Sequence, residues 1–282
     1  MLRKALINGL VLSLGLVGTL VPVRAAVFFT NEPPAMAGAP YSGVATIQST
    51  TLFSDGTHIV RNSTVRFARD SQGRTRTERS VGPVLGESAA QSNPTIIMIN
   101  DPVGSQRLVI NPQLKTVNVI KTGNGAVPPS ISNSDAEPPF ALMGLGMSIG
   151  AAPATESSSN TTSLGQKTIN GLTATGSREV RTIPSGVLGN DKAITSTLDK
   201  WMSPDLGVPV QVTETSSIGG QVTLDLTDVV RSEPDPSLFT APSGYTRHEF
   251  TGPNAAVAAM ALAQGGVAAM HAVGTVTAVK SP

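Results

Sequence analysis

Six short turn signals punctuate the chain, and their spacing leaves room for little except antiparallel β-structure. They are Asp55-Gly56, Asp70-Ser71-Gln72-Gly73, Asp101-Pro102-Val103-Gly104, Asn111-Pro112-Gln113, Asn170-Gly171 and Ile218-Gly219-Gly220. Asp-Gly and Asn-Gly are strong hairpin signals because both central positions of a type I′ turn need positive φ. The segments between the turns are short and rich in Val, Ile and Thr. Strands joined only by tight turns pair antiparallel, since a parallel connection needs a dozen or more residues.

The residues between the turns refine this reading. A two-residue turn at Asp55-Gly56 predicts that Leu52 faces Ile59, Thr50 faces Arg61, Thr46 faces Val65 and Val44 faces Phe67. Arg61, Arg69, Arg74 and Arg76 then share a face with Ile59, Val65 and Phe67, while His58 and Arg66 take the other. TIIMIN (95–100) and KTVNVI (115–120) read as buried strands. Val222, Leu224 and Leu226, alternating with Thr223, Asp225 and Thr227, read as a strand with one buried face. Asp191 to Trp201 is the one helix candidate within the β-rich regions.

Composition divides the chain. Residues 1–25 have the pattern of a secretory signal peptide: Arg3 and Lys4, the apolar run Ala5 to Val21, and small residues around Val23-Arg24-Ala25. Cleavage would leave a mature chain beginning near Ala26, periplasmic or secreted, and not an integral membrane protein. The chain has no cysteine, which excludes disulfides, a thiolate nucleophile and a lipidated N-terminal Cys. Residues 26–40 read as a flexible segment. Two β-rich blocks, about 41–121 and 163–249, are expected to form one antiparallel domain over 41–249, with a mobile Gly/Pro/Ser/Asn-rich insertion at 122–162. Residues 250–282 form an Ala-rich tail, expected to be disordered or partly helical.

The chemistry in the sequence is sparse. A formal net charge of +1 argues against a general nucleic-acid binder, and the six arginines between Ser54 and Arg79 are divided between strand faces instead of forming one stripe. Gly146-Met147-Ser148-Ile149-Gly150 matches the G-x-S-x-G nucleophile elbow, and Asp191, Asp199, Asp205 and His248 follow it. An elbow requires a strand before and a helix after, whereas Pro138-Pro139 and AAPATESSSN flank this one. His58, His248 and His271 lack metal-ligand spacing. No cofactor or metal is expected, and an enzyme is not the favoured reading.

The succession SDGTHIVR, RDSQGRTRTE, INDPVGSQRLVINPQLKTV, LGQKTINGLTATGSREVRTIP, GNDKAI, WMSPDLGVPV and EPDPSLFTAPSGY resembles a group of exported acidobacterial proteins over roughly Ser54 to Tyr245. More loosely, the order of these pieces is similar to the lipoprotein-carrier superfamily (LolA/LolB-like, including the periplasmic regulator RseB). Its members end in a strand followed by an F-x-x-P-x-G-Y-like tail, here Phe239 to Tyr245. The resemblance implies a mainly β fold, an antiparallel half-barrel curved around helices, with an apolar concavity for acyl chains. FALMGLGMSIGA (140–151) is the apolar candidate for a lid, although its three glycines weaken it as a helix.

The expected function is non-enzymatic binding of a lipid, an acylated protein or another apolar ligand on the concave face. Ile59, Val65, Phe67, Arg74, Arg76 and Trp201 are the candidate contacts. An envelope protein-interaction or sensor module is the alternative, and a serine hydrolase using Ser148 is the third reading.

Overall fold

The computed structural model describes residues 36–53, 55–80, 95–121, 141–142, 147–148, 158–251, 255–263 and 277–279. The expected signal peptide and most of the 122–162 insertion lie outside the described residues. In chain order the strands are β1 (Tyr41–Leu52), β2 (His58–Arg69), β3 (Thr75–Ser80), β4 (Thr95–Asp101), β5 (Gln106–Asn111) and β6 (Thr116–Lys121). A two-stranded hairpin follows, β7 (Ala141–Leu142) and β8 (Met147–Ser148). Then come β9 (Ser158–Ile169), β10 (Leu172–Ile183), β11 (Ile194–Ser203), β12 (Val208–Ser216), β13 (Gly220–Val230), β14 (Thr246–Phe250) and β15 (Thr277–Val279). A 3-10 turn covers Pro236–Phe239, and helix α1 covers Ala255–Ala263.

Thirteen strands form one open sheet in the order β15-β14-β6-β5-β4-β3-β2-β1-β13-β12-β11-β10-β9. Pairing of β1 with β13 joins the two β-rich blocks into a continuous surface. Every pair is antiparallel except β14 with β6, where the chain crosses back to lie parallel.

The turns set the registers. Asn170-Gly171 is a two-residue turn with φ +50 and +78, and Ile169 pairs with Leu172. The Asp55-Gly56 turn is longer than its sequence suggests. Phe53 N–H donates to the Thr57 carbonyl and Gly56 N–H to the Phe53 carbonyl, with Gly56 at φ +85. This is a three-residue loop with Gly in the left-handed position. Leu52 therefore pairs with His58, Thr50 with Val60, Ala45 with Val65 and Gly43 with Phe67. The register is one residue away from the expected one, and a one-residue shift changes every cross-strand partner.

The next turn has the same form: Asp70 N–H donates to the Arg74 carbonyl, Gly73 N–H to the Asp70 carbonyl, and Gly73 has φ +82. Asp191 to Trp201 also departs from expectation. From Ile194 onward it is strand β11, because Ile194, Thr195 and Thr197 suit a pleated surface and both edges are taken, by β10 and β12.

The sheet curls tightly at its β9–β13 end. Strands three places apart would lie about 14 Å from each other in a flat sheet. Yet Asn170 Nδ2, at the β9–β10 turn, donates to the Leu226 carbonyl of β13 at 2.7 Å, and Lys167 Nζ of β9 reaches Gln211 Oε1 of β12 at 3.0 Å. The curl gathers Ile169, Leu172 and Ala174 into one core with Ala45, Ile47, Val65, Phe67, Val208, Val210, Leu224 and Leu226.

The β4–β6 end is buried on both faces. Ile96, Met98, Val109 and Ile120 pack with Phe250 and α1, while Ile97, Ile99, Leu108, Ile110, Val117 and Val119 pack with Phe239. Coverage on both sides is why these strands read as unbroken apolar runs and not as alternating ones.

Candidate functional site: the concave face

Directly paired residues point to the same side of a sheet, so the register maps its concave face. One row runs Tyr41, Arg69, Thr75, Asn100, Arg107, Ile120 and Phe250 across β1 to β6 and β14. The next runs Gly43, Phe67, Thr77, Met98, Val109, Asn118 and His248. Two elements lie over this face. The β9–β10 hairpin covers one half through the curl. Helix α1 covers the other, with Ala255, Ala258, Ala259, Met260 and Ala263 buried. Asn118 Nδ2 and Asn111 Nδ2 donate to the Ala259 and Ala263 carbonyls, each at 2.7 Å, and fasten α1 to β6 and β5. Thr75, Thr77 and Arg79 of β3 lie between the two covered halves.

Two further features tie the curl together. Arg69 is 0% exposed. Its Nε and NH2 donate to the Ala39 carbonyl, at 3.0 and 2.8 Å, and NH2 also donates to the Leu206 carbonyl at 2.7 Å. Its guanidinium sits 5.0 Å from the centre of the Tyr41 ring. Burial pushes the Tyr41 phenol well above its ordinary range, against a smaller opposing effect of the Arg69 charge.

Trp201 packs at the edge of the same core. It faces Gly176, where an added Cβ would lie 2.6 Å from the indole, so the close approach requires glycine. Lys167 Nζ stands 3.9 Å from the centre of the ring. Lys167 also donates to Gln211, and Gln211 to Asp225.

Two residues before Trp201 in β11, Asp199 faces Arg178 of β10, whose Nε and NH2 donate to its carboxylate at 2.6 Å each. These hydrogen bonds hold the Asp199 carboxyl below the usual carboxylate range, with burial opposing. A carboxyl with a lowered folded pKa stabilises above its unfolded value of about 3.9, and that contribution disappears as pH falls through the folded value. Asp199→Asn is therefore expected to cost about 0.5 kcal/mol above about pH 5 and nothing at the acid end, the pair being partly solvated. Urea unfolding of both proteins between pH 2.5 and 7 checks this; a difference that grows toward low pH would contradict it.

The structure divides the residues singled out from sequence. Val65 and Phe67 lie in the concave core, Ile59 is half-buried on the same face opposite Thr51, and Trp201 lies at its edge. Arg74 and Arg76 do not join them. Thr75 pairs with Arg69 and Arg76 with Ala68, because the three-residue turn at 71–73 shifts their parity. Both arginines serve the convex face. Arg74 Nε bonds Asp70 Oδ2 at 2.6 Å and its guanidinium lies 5.2 Å from the Phe239 ring centre. Arg76 donates to the Leu238 carbonyl at 3.1 Å and pairs with Glu78 at 3.0 Å.

Tyr41, Arg69, Asn111, Asn118 and Lys167 were not evident from sequence. The one available signal was Asn118, a polar residue in the middle of an apolar strand. Ser148 closes the β7–β8 hairpin opposite Ala141, and the residues after it, where the elbow needs a helix, lie outside the described residues. His248 pairs with Asn118 beside α1. Among the described residues no three His, Asp or Glu side chains gather as a metal site, and no helix is long and apolar enough to cross a membrane.

The fold is thus that of an open, strongly curled antiparallel sheet with a helix on its concave face. No protein-family model matches the chain, and no curated protein does. Among solved structures it is similar to the crystal structure of MucB, with a TM-score of 0.36 and 10% identity over 75% of this chain and 60% of that one. It is also similar to a putative outer membrane lipoprotein-sorting protein domain from Vibrio parahaemolyticus, with a TM-score of 0.29 and 10% identity over 71% of this chain and 89% of that one. A LolA superfamily protein from Nitrosomonas europaea gives a TM-score of 0.27 and 9% identity over 72% of this chain and 90% of that one.

Proposed function

We propose that this is a non-enzymatic exported protein, periplasmic or secreted, that binds an apolar ligand on the concave face. The ligand class is a lipid, or the acyl chain of an acylated protein. Ile59, Val65, Phe67 and Trp201 are the contacts, with Met98 and Val109 beneath α1 completing the apolar surface.

The observation that carries this reading is the nature of the cover. The concave face presents large apolar side chains, but α1 meets it mostly with alanines, four of them buried, beside Met260 and the partly buried Leu262. Alanine contributes little burial free energy, about 0.8 kcal/mol per methyl-sized group, so apolar burial holds α1 less strongly than a helix of large side chains would, and the Asn111 and Asn118 hydrogen bonds are its main fixed points. The β9–β10 hairpin is the other cover: it contributes Ile169, Leu172 and Ala174 to the core, while β9, the sheet's edge strand, is exposed along almost its whole length. In this reading an acyl chain takes the place of one of these covers.

Native mass spectrometry of the protein purified from its own envelope tests the proposal. The expected result is a bound species of lipid or acyl-peptide mass, together with a change in Trp201 fluorescence when the stripped protein is given phospholipid. A bare polypeptide mass and an unresponsive Trp201 would overturn it.

A further inference from the structure

Among the described residues, four of the large exposed apolar side chains lie in or beside two turns at one end of the sheet. Leu52, Phe53, Val60 and Ile218 are 57%, 37%, 47% and 47% exposed. Thr50 pairs with Val60 on one side and with Gln221 on the other. Because β1 ends where β13 begins, the β1–β2 turn with Phe53 and the β12–β13 turn with Ile218 project from the same end of the sheet. The two strands approach closely there, since a Cβ added to Gly220 would fall 1.9 Å from the Thr50 carbonyl oxygen. The β1–β2 and β12–β13 turns therefore form one projecting tip.

The core does not require apolar residues at these places. Leu52 and Val60 lie on the convex face, in line with Gln48, Thr50, Asn62 and Thr64, which are polar. Charge is scarce as well. Within 52–60 and 216–220 only Asp55 and His58 can ionise, and Asp55 is engaged in capping its own loop through the Thr57 N–H.

We infer that this tip inserts into the interfacial region of a lipid bilayer. The four side chains expose on the order of 350 Å² of apolar surface, a value typical of the largest patch on a monomer. That is less than half of the roughly 800 Å² each partner contributes to a stable protein interface. It is enough for a shallow insertion of two turn tips carrying an aromatic and three aliphatic residues. The low charge makes this docking hydrophobic and therefore insensitive to salt. The inference does not depend on the concave-face ligand: a protein with no ligand site at all would still dock by this end.

The test uses vesicles of phosphatidylethanolamine and phosphatidylglycerol containing brominated lipid, in 0.5 M NaCl. Phe53→Trp reports on the tip and Val103→Trp, at the exposed β4–β5 turn of the opposite end, serves as control; the wild-type Trp201 signal is the baseline. Bromine quenching of Trp at 53 several-fold greater than at 103 is expected. In flotation, the triple variant Leu52→Gln, Val60→Thr, Ile218→Thr should lose at least tenfold in vesicle partitioning while its thermal unfolding stays unchanged. Equal quenching at both positions, or partitioning unaffected in the triple variant, would overturn the inference. So would a dimer in sedimentation velocity that the triple variant abolishes, which would make a second copy of the chain the occupant.

Discussion

Phe239→Ala is expected to destabilise the protein by about 3–5 kcal/mol, the usual cost of deleting a buried aromatic ring. Phe239 is 3% exposed and fills the convex side of β4–β6 against Ala68, Ile97, Ile99, Leu108, Ile110, Val117 and Val119. It is delivered there by a single 3-10 turn, which Asp235 caps by accepting from the Ser237 N–H at 2.8 Å. Removing the ring also strips Arg74 of its aromatic contact and leaves Arg76 holding a turn with no anchor.

Arg74 and Arg76 are not free surface charges, since each is tied to the convex face. Side-chain exposures of 20% and 16% make Arg76→Ala worth about 1–2 kcal/mol, the cost of a lost charged hydrogen bond. Because β1 and β13 make the sheet continuous, Phe239→Ala should lower the unfolding midpoint seen by Trp201 in β11 together with that seen by circular dichroism. A Trp201 transition that stays in place while the other moves would show that the two halves unfold separately.

Arg69→Ala is expected to cost about as much, roughly 3–5 kcal/mol. The guanidinium bridges two backbone carbonyls, one in the N-terminal approach at Ala39 and one in the β11–β12 turn at Leu206. Without it both lose a charged donor in a buried setting, and the Tyr41 ring loses its packing partner. Arg69→Lys separates charge from geometry: a single ammonium has the charge but not the planar fork, and should recover less than half of the loss. Urea unfolding of the three proteins measures this. Full recovery by lysine would mean that charge alone matters there, and an unchanged midpoint for alanine would remove Arg69 from the account of how the curl is held.

The sequence by itself determined most of the hairpin-joined strands and their antiparallel pairing, because Gly, Asn and Asp at the turns and β-branched residues between them act locally. Asn170-Gly171 specified its own two-residue turn, and TIIMIN and KTVNVI announced buried strands. Ser158 to Thr162, read as part of the insertion, instead begin β9, and the parallel pairing of β14 with β6 had no local signal. Registers were another matter. Asp55-Gly56 and Asp70 to Gly73 are compatible with loops of two or three residues, and the choice fell to the longer one when packing of Val65 and Phe67 against the curled half fixed which residues must point inward. That one-residue difference moved Arg74 and Arg76 from the concave to the convex face. Asp191 to Trp201 became a strand because β10 and β12 offered hydrogen bonds on both sides, a pairing of distant segments that local propensity does not contain. The curl, the seat of α1 on Asn111 and Asn118, and the placing of the β1–β2 and β12–β13 turns at one end of the sheet likewise depend on residues far apart in the chain. Their energies exist only once the sheet has closed the distance between them.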